Sequence, residues 1–339
     1  MQRKKTLLGV AYAGIILALF GVAALTFFPH KSDPMSLDSP SVTVASLNRT
    51  MSASRAKEDD STADALAAQH QAALETIDKQ RAKHEKTLVI PVTKFTMATF
   101  NVQGSSHRGG GASRVLRAMS LLQGNSVDVA SLQEVQRNQR AAILGSYGGT
   151  YGMYPAMNAR EGDAHNQVIW RKSRFELVTG TTRTYHYFRG QARRMPLVKL
   201  RDKDTQAEFW VTSYHNPASG VLGMGNQAGW RARNVSMQIR DANAIIATGV
   251  PLIIAGDMND RNTYFCAMVM NTSMHASDGG SDNGGCHPPG EHNIDWIMGS
   301  PLIEFSGHVR LDNGVVNATS DHPLYFTQVV ATGKRIRGH

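Results

Sequence analysis

Polar side chains follow a series of short apolar runs in this sequence. In the clearest case, the apolar residues 252–255 lead through Gly256 to Asp257 and Asn259. This pattern is typical of a buried strand whose last polar groups emerge in a cleft. We therefore expect Asp257 and Asn259 to face whatever binds there.

The same pattern recurs five more times along the chain. The polar residues that accompany the other apolar runs are Asn101, Glu134, His215 with Asn216, Asp295, and Asp321 with His322. Six strands are thus predicted to have polar residues at one end.

These residue types suit the cleavage of a phosphate ester. Such a reaction requires neutralisation of a dianionic transition state and protonation of a leaving oxygen, which a hard cation, hydrogen-bond donors and a positioned histidine supply. Carboxylate oxygens suit Mg²⁺ better than zinc, and no Cys/His cluster has zinc spacing. We predict Mg²⁺ as the cofactor, with Mn²⁺ or Ca²⁺ as alternatives.

In type and order, the six segments resemble the endonuclease/exonuclease/phosphatase superfamily. Its members include secreted deoxyribonucleases, abasic-site endonucleases, sphingomyelinases and inositol-polyphosphate phosphatases. The resemblance covers about residues 93–330, and it is carried by residues 99–102, 132–135, 214–217, 255–259, 294–297 and 320–323. It implies a deoxyribonuclease I-like fold and a metal-dependent hydrolase.

The resemblance also implies roles for individual residues. Glu134 is the principal metal ligand, helped by Asn101 and Asp321. Asp257 and Asn259 orient the attacking water and the phosphate.

The two active-site histidines have different roles in the resemblance. His322 pairs with Asp295, which fixes its tautomer, and the pair assists attack on phosphorus or stabilises its oxygens. His215, with Asn216 beside it, donates to the phosphate or to the leaving group. The remaining histidines lack such support and are predicted to be surface or loop residues, among them His107, His165, His186, His275, His287, His292 and His308.

One position departs from the secreted deoxyribonucleases. Where these enzymes carry an acid that supports the first active-site histidine, this sequence reads Asp163-Ala164-His165-Asn166-Gln167. Asn166 resembles the phosphate-contacting asparagine of other branches. We therefore do not assign the specific mechanism of the secreted deoxyribonucleases to this sequence.

The substrate is suggested by residues 185–188, Tyr-His-Tyr-Phe, which Arg189 and Arg193 follow. Aromatic residues interleaved with arginines suit base stacking and backbone contact in a nucleic acid. An ordinary hairpin with a solvated basic rim is an equal alternative. No clear apolar hairpin for lipid insertion is present.

Three functions follow from these patterns. The first is a nuclease that hydrolyses nucleic-acid phosphodiester bonds by Asp/His-assisted attack of water. The second is a lipid phosphodiesterase of the sphingomyelinase type or a phosphoinositide phosphatase. The third is a catalytically silent binding domain.

Short strands separated by Gly, Asn and Pro turns dominate the chain after residue 92. Helical spacing of apolar residues predicts helices over residues 113–122 and 228–247. Many short strands with few helices predict an α/β fold in which two sheets pack face to face and helices lie outside, in four layers α/β/β/α.

The N-terminal region carries 23 uncharged residues, 6–28, after Arg3, Lys4 and Lys5. That length crosses a bilayer core of about 30 Å, and the preceding charges place the N-terminus in the cytoplasm. We predict a single-pass anchor over residues 1–30 with the remaining chain extracytoplasmic; a cleaved signal peptide, releasing a secreted form, is the alternative. Residues 31–91 are predicted to be a flexible tether or helical stalk, 92–332 the catalytic domain and 333–339 a basic tail.

Net charge and cysteine content exclude few kinds of binding partner. The net charge is +9, but six basic residues lie at the two ends of the chain. Cys266 and Cys286 are predicted to form a disulfide outside the cytosol or to be free thiols inside it, and the resemblance to secreted deoxyribonucleases favours the disulfide. Nucleic acid as substrate and the membrane through the anchor are the expected partners; no protein partner is predicted.

Overall fold

A computed structural model describes residues 60–86, 88–290, 293–334 and 336–337. Helix α1 spans Asp60–Lys86 within the predicted tether, and the side chains described on it are mostly exposed. None of the helices in these ranges is long and apolar enough to cross a bilayer. The predicted membrane span at residues 6–28 lies outside the described residues.

The first sheet has six strands: β2 Val92–Asn101, β3 Val129–Gln133, β4 Tyr151–Tyr154, β5 Gln167–Arg171, β13 Ile303–Leu311 and β14 Leu324–Thr332. Their order across the sheet is β13-β14-β2-β3-β5-β4. Within this sheet, β2 and β3 pair in parallel and the other neighbours are antiparallel.

The second sheet has seven strands: β6 Phe175–His186, β7 Ala192–Asp202, β8 Glu208–Thr212, β9 Tyr214–His215, β10 Leu252–Asp257, β11 His275–Ala276 and β12 Asp295–Gly299. Their order across the sheet is β11-β12-β10-β8-β7-β6, with β9 also paired to β10. Strand β10 runs parallel to β8 and β9 and antiparallel to β12. Outside the two sheets, β1 (Leu88–Val89) pairs with β15 (Ile336–Arg337).

The two sheets pack face to face through apolar side chains from both. Phe95 of the first sheet stacks on Phe209 of the second at 4.6 Å between ring centroids, and Phe175 meets both edge-on. Burying such aromatic side chains is a principal source of stability in a core of this kind.

Helices cover the outer faces of both sheets. Helices α2 (Gly111–Gly124) and α3 (Arg137–Tyr147) lie on the first sheet, and α4 (Ala228–Ile246) and α5 (Asn262–Asn271) on the second; a short helix α6 spans Gly314–Asn317. Two sheets flanked by helices confirm the predicted α/β class. The predicted helices over 113–122 and 228–247 correspond to α2 and α4.

The two cysteines form a disulfide. Cys266 on α5 is bonded to Cys286, with their Cα atoms 5.4 Å apart. The bond closes the loop that runs from α5 towards β12, so it tethers the segment that leads to Asp295.

Candidate active site

Strand register brings three of the predicted catalytic residues together at the ends of neighbouring strands in the second sheet. Asp257 at the end of β10 lies opposite His215 on parallel β9 and opposite Asp295 on antiparallel β12. Gly256 permits this approach: its φ is +148°, and a Cβ there would lie 2.0 Å from the carbonyl oxygen of Tyr214.

Asn101 connects this cluster to the first sheet. It ends β2 opposite Gln133, the residue before Glu134. Its Nδ2 donates to Glu134 Oε1 at 3.2 Å and to Asp257 Oδ2 at 3.1 Å. The two sheets therefore contribute to a single cluster of polar groups.

Several polar groups of the cluster lie around the Oδ2 atom of Asp257. Besides Asn101, it faces Nε2 of His215 at 3.4 Å and Nε2 of His322 at 3.7 Å. Burial, together with the neighbouring charge of Asp295, raises the pKa of Asp257 to about 7.

His322 and Asp295 form the predicted pair, with 2.9 Å between His322 Nδ1 and Asp295 Oδ2. Burial alone would lower the pKa of His322, but the charge and hydrogen bond of Asp295 and the charge of Asp257 raise it to about 10. His322 is thus an imidazolium at neutral pH, and its Nδ1–H donates to Asp295.

His215 has the opposite character. Burial lowers its pKa to about 3, so the ring is neutral at physiological pH. Its Nδ1 is buried and has no hydrogen-bond partner among the described residues. The ring lies edge-on to Tyr187, 5.5 Å between centroids.

Asn259 and Asn216 fix the backbone around Asp257. Asn259 adopts a left-handed conformation (φ +49°), its amide N–H donates to Asp257 Oδ1 at 2.9 Å, and its Nδ2 donates to the Asn216 carbonyl at 2.9 Å. The Asn216 side-chain oxygen accepts from Asn234 and Gln238 on α4. In this structure Asn216 therefore holds the cluster against α4, and a substrate contact remains a prediction.

Glu134 lies at the mouth of the cluster with a left-handed backbone (φ +63°). Its Oε2 accepts from the Gly104 N–H at 2.8 Å and lies 2.6 Å from His107 Nδ1. Burial opposes ionisation, but the Gly104 hydrogen bond, the neighbouring His107 and the Asn101 hydrogen bond hold the pKa of Glu134 well below its usual value. Glu134 is therefore a carboxylate at neutral pH.

The predicted metal ligands fit a hard divalent cation by their chemistry. Glu134 is ionised, and Asp321 is exposed beside Ser320, whose hydroxyl donates to the Asn101 carbonyl at 2.6 Å and lies 3.4 Å from Asp321 Oδ1. A second set, Asp257, Asp295 and His322, has potential ligand atoms within 4.8 Å of one another. Within this second set, His322 Nδ1 already pairs with Asp295 Oδ2 at 2.9 Å.

A cavity of about 300 Å³ opens over Glu134 and His215. His107 and His165, which the sequence pattern left without a role, both line it. No periodicity points to them, because His107 lies in the loop between β2 and α2 and His165 ends a single 3₁₀ turn (Asp163–His165) before β5. The only hint is their position near Asn101 and Asn166 in the chain.

The aromatic residues and arginines predicted to contact nucleic acid do not all lie in the cavity. Tyr187, Phe188 and Arg193 line the cavity. Tyr185 is buried under the sheet, where its hydroxyl donates to Tyr214, so base stacking on Tyr185 is excluded. The Arg189 guanidinium donates to the Gly223 carbonyl at 2.6 Å and does not line the cavity.

Asn166 is fully buried just before β5, and it does not line the cavity. Neither its Oδ1 nor its Nδ2 has a hydrogen-bond partner among the described residues. Its predicted contact with phosphate remains a prediction.

A known protein family matches the part of the chain that carries this site. Residues 98–322 match the Endonuclease/Exonuclease/phosphatase family. The chain belongs to this family. Its members hydrolyse phosphoric esters, which agrees with the residue types gathered around Asp257.

Solved structures share the fold of this family member at low sequence identity. An endonuclease/exonuclease/phosphatase family protein from Bacteroides thetaiotaomicron is 18% identical with a TM-score of 0.56, covering 72% of this chain and 97% of the other. The human Nocturnin catalytic domain with bound sulfate is 16% identical with a TM-score of 0.54, with the same coverages. A mannosyl-6-phosphatase from Bacteroides thetaiotaomicron is 16% identical with a TM-score of 0.50, covering 69% and 99%. No curated protein sequence matches the chain.

Proposed function

We propose that this family member is a divalent-metal-dependent phosphodiesterase that hydrolyses nucleic acid outside the cytoplasm. One observation carries the proposal: Glu134, which Asn101 joins to Asp257, lines the same cavity as Arg193 and Tyr187. A reactive cluster and a cationic, aromatic wall thus occur together.

Asp257 is the group suited to accept a proton from the attacking water. With a pKa of about 7, much of it is ionised at neutral pH, and it binds a proton more strongly than an ordinary aspartate does. Asn101, donating to Oδ2, and the Asn259 amide, donating to Oδ1, hold the carboxylate in one orientation.

The two histidines contribute in different protonation states. His322, kept as an imidazolium by Asp295, offers positive charge to the phosphate oxygens as charge develops there. Neutral His215 can donate only one ring N–H, which suits a hydrogen bond to the phosphate or to the leaving oxygen.

Glu134, Asn101 and Asp321 are the residues that would hold the cation. A bound hard cation supplies charge neutralisation at the phosphate. Within the chain, Glu134 is fixed for this role by the Gly104 N–H and by Asn101.

The substrate assignment rests on the cavity wall. Arg193 provides a cation for a phosphodiester backbone, and Tyr187 and Phe188 provide aromatic surface beside it. The extracytoplasmic location is supported by the Cys266–Cys286 disulfide, since such bonds persist mainly in oxidising compartments, and by the apolar segment at residues 6–28.

One observation favours a second candidate, a lipid phosphodiesterase. Val221 lines the cavity, and Leu222 beside it is 98% exposed. An exposed apolar loop tip at the mouth of a phosphoester site could enter a lipid surface.

The test is a substrate panel with the full chain and Mg²⁺. We expect acid-soluble nucleotides from plasmid DNA or RNA, and their loss in Asp257→Asn but not in Asp312→Asn, an exposed acid on the surface. Release of choline phosphate from sphingomyelin, or of inorganic phosphate from a phosphoinositide, without any release of nucleotides would overturn the nuclease assignment.

A further inference from the structure

A second cavity, of about 190 Å³, adjoins the catalytic cavity. Tyr187 and Arg193 line both of them and form the shared wall. The other lining residues are Arg160, Gly162, Asp163, Gln191 and Ala192. The second cavity is thus polar, and two arginines line it.

Neither arginine is neutralised by a neighbour. No carboxylate of the described residues forms an ion pair with the guanidinium of Arg160 or Arg193. The one acid on the wall, Asp163, uses Oδ1 to accept a hydrogen bond from the Arg194 amide at 2.8 Å. Since arginine keeps its charge at all accessible pH values, the cavity carries an excess of positive charge.

Arg193 is held against the aromatic wall. Its guanidinium carbon lies 3.4 Å from the ring centroid of Tyr187, a cation–π contact. After burial, the charge of Arg193 is the next influence that lowers the pKa of His165 on the catalytic side. The charge of Arg193 therefore acts in both cavities.

The segment that carries Arg160 is fixed in place. Glu161 accepts from buried Arg140 at 2.5 Å and from the Arg137 amide at 2.8 Å. Asp163, bonded to the backbone of β7, fixes its other end. These bonds hold the backbone that carries Arg160, whose side chain is exposed, so ordering of this backbone costs little when a ligand binds.

We propose that Arg160 and Arg193 form a subsite for a second phosphate, next to the phosphate that is cleaved. Arginine forks bind phosphate oxygens with two parallel hydrogen bonds, and this cavity is larger than one water molecule requires. The inference rests on the proposed function. The second phosphate is either the next phosphodiester of a nucleic acid or a phosphate monoester on a multiply phosphorylated alcohol.

Binding measured in EDTA tests the subsite without relying on turnover. The probes are fluorescent thymidine dinucleotide, with one phosphodiester, and trinucleotide, with two. We expect the full chain to bind the trinucleotide roughly tenfold more tightly. Arg160→Ala should abolish this difference while leaving dinucleotide affinity unchanged, and Arg160→Lys should retain part of it.

Arg194→Ala is the matched control. Arg194 carries the same charge one residue further along β7, where side chains alternate between faces, and it lines neither cavity. This variant should keep the full preference for the trinucleotide.

A second pair of probes distinguishes the sources of the phosphate. A preference for inositol bisphosphate over monophosphate that depends on Arg160, with none between the oligonucleotides, would assign the subsite to a monoester. Equal affinities within both pairs in the unmodified chain would overturn the subsite. Failure of the nuclease assignment would appear instead in the turnover panel, which these binding measurements do not use.

Discussion

At the scale of single residues, the site depends on neighbouring groups that differ in charge. Asp257 has a raised pKa, His322 is protonated and His215 is neutral, although all three lie within one cluster. Burial and the placement of Asp295 are the causes of these differences. Groups with pKa values separated in this way can divide proton acceptance and charge stabilisation between them.

Replacing either histidine should remove one of these contributions. We expect His322→Ala and His215→Ala each to lower turnover by about 10²-fold or more. Steady-state hydrolysis of an oligonucleotide measures this, with His287→Ala, an exposed loop residue, as the unchanged control. Rates like those of the unmodified chain in both purified variants would refute the site assignment.

The charge of Asp295 should determine the protonation of His322. In the unmodified chain His322 should keep its proton until the pH rises to about 10. Asp295→Asn removes the main influence that raises this pKa, so the proton should be lost at a lower pH. Histidine-selective NMR titration of the full chain measures both values; identical titrations would show that Asp295 does not control His322.

At the scale of elements, strand ends were predictable and loops were not. Apolar runs followed by polar residues identify the ends of β2, β3, β9 and β10, because a buried strand requires such a run. Helices α2 and α4 were predicted from their apolar spacing, whereas α3 and α5 were not.

The roles of His107, Arg189 and Tyr185 escaped prediction for physical reasons. His107 reaches Glu134 through an irregular loop, and the guanidinium of Arg189 bonds to a distant loop. Tyr185 and Tyr187 share one face of the strand pattern, yet only Tyr187, just beyond the end of β6, reaches the cavity. Such contacts depend on tertiary structure that local patterns do not contain.

The close approach of β9 and β10 gives a prediction at this scale. Gly256→Ala places a methyl group against the Tyr214 backbone, so it should separate the strands that align Asp257 with His215. We expect a lower melting temperature and a loss of activity at temperatures where the variant remains folded. Gly145→Ala in α3, where nothing lies within 4 Å of the added methyl group, should have neither effect. Unchanged activity in folded Gly256→Ala would contradict the argument from register.

At the scale of the whole molecule, each of the two sheets supplies part of one site. Asn101 and Glu134 come from the first sheet, and His215, Asp257 and Asp295 from the second. Packing of the two sheets is therefore a condition of activity.

The disulfide should stabilise the folded chain as a whole. Cys266 and Cys286 are separated by 20 residues, and for a loop of this size we expect the loss of about 3 kcal/mol when both are replaced by serine. Urea unfolding of the unmodified chain and the double variant measures the difference. A reducing agent should lower the midpoint only in the unmodified chain, and equal midpoints without reductant would contradict the prediction.

The most direct test of the central claim, that the strand-end residues form one metal-dependent phosphoester site, is oligonucleotide hydrolysis as a function of Mg²⁺ concentration. In the unmodified chain, activity should be absent in EDTA and should rise with added Mg²⁺. Glu134→Ala should lower it by about 10²-fold or more at every concentration. Activity that survives in EDTA, or that Glu134→Ala leaves unchanged, would contradict the account.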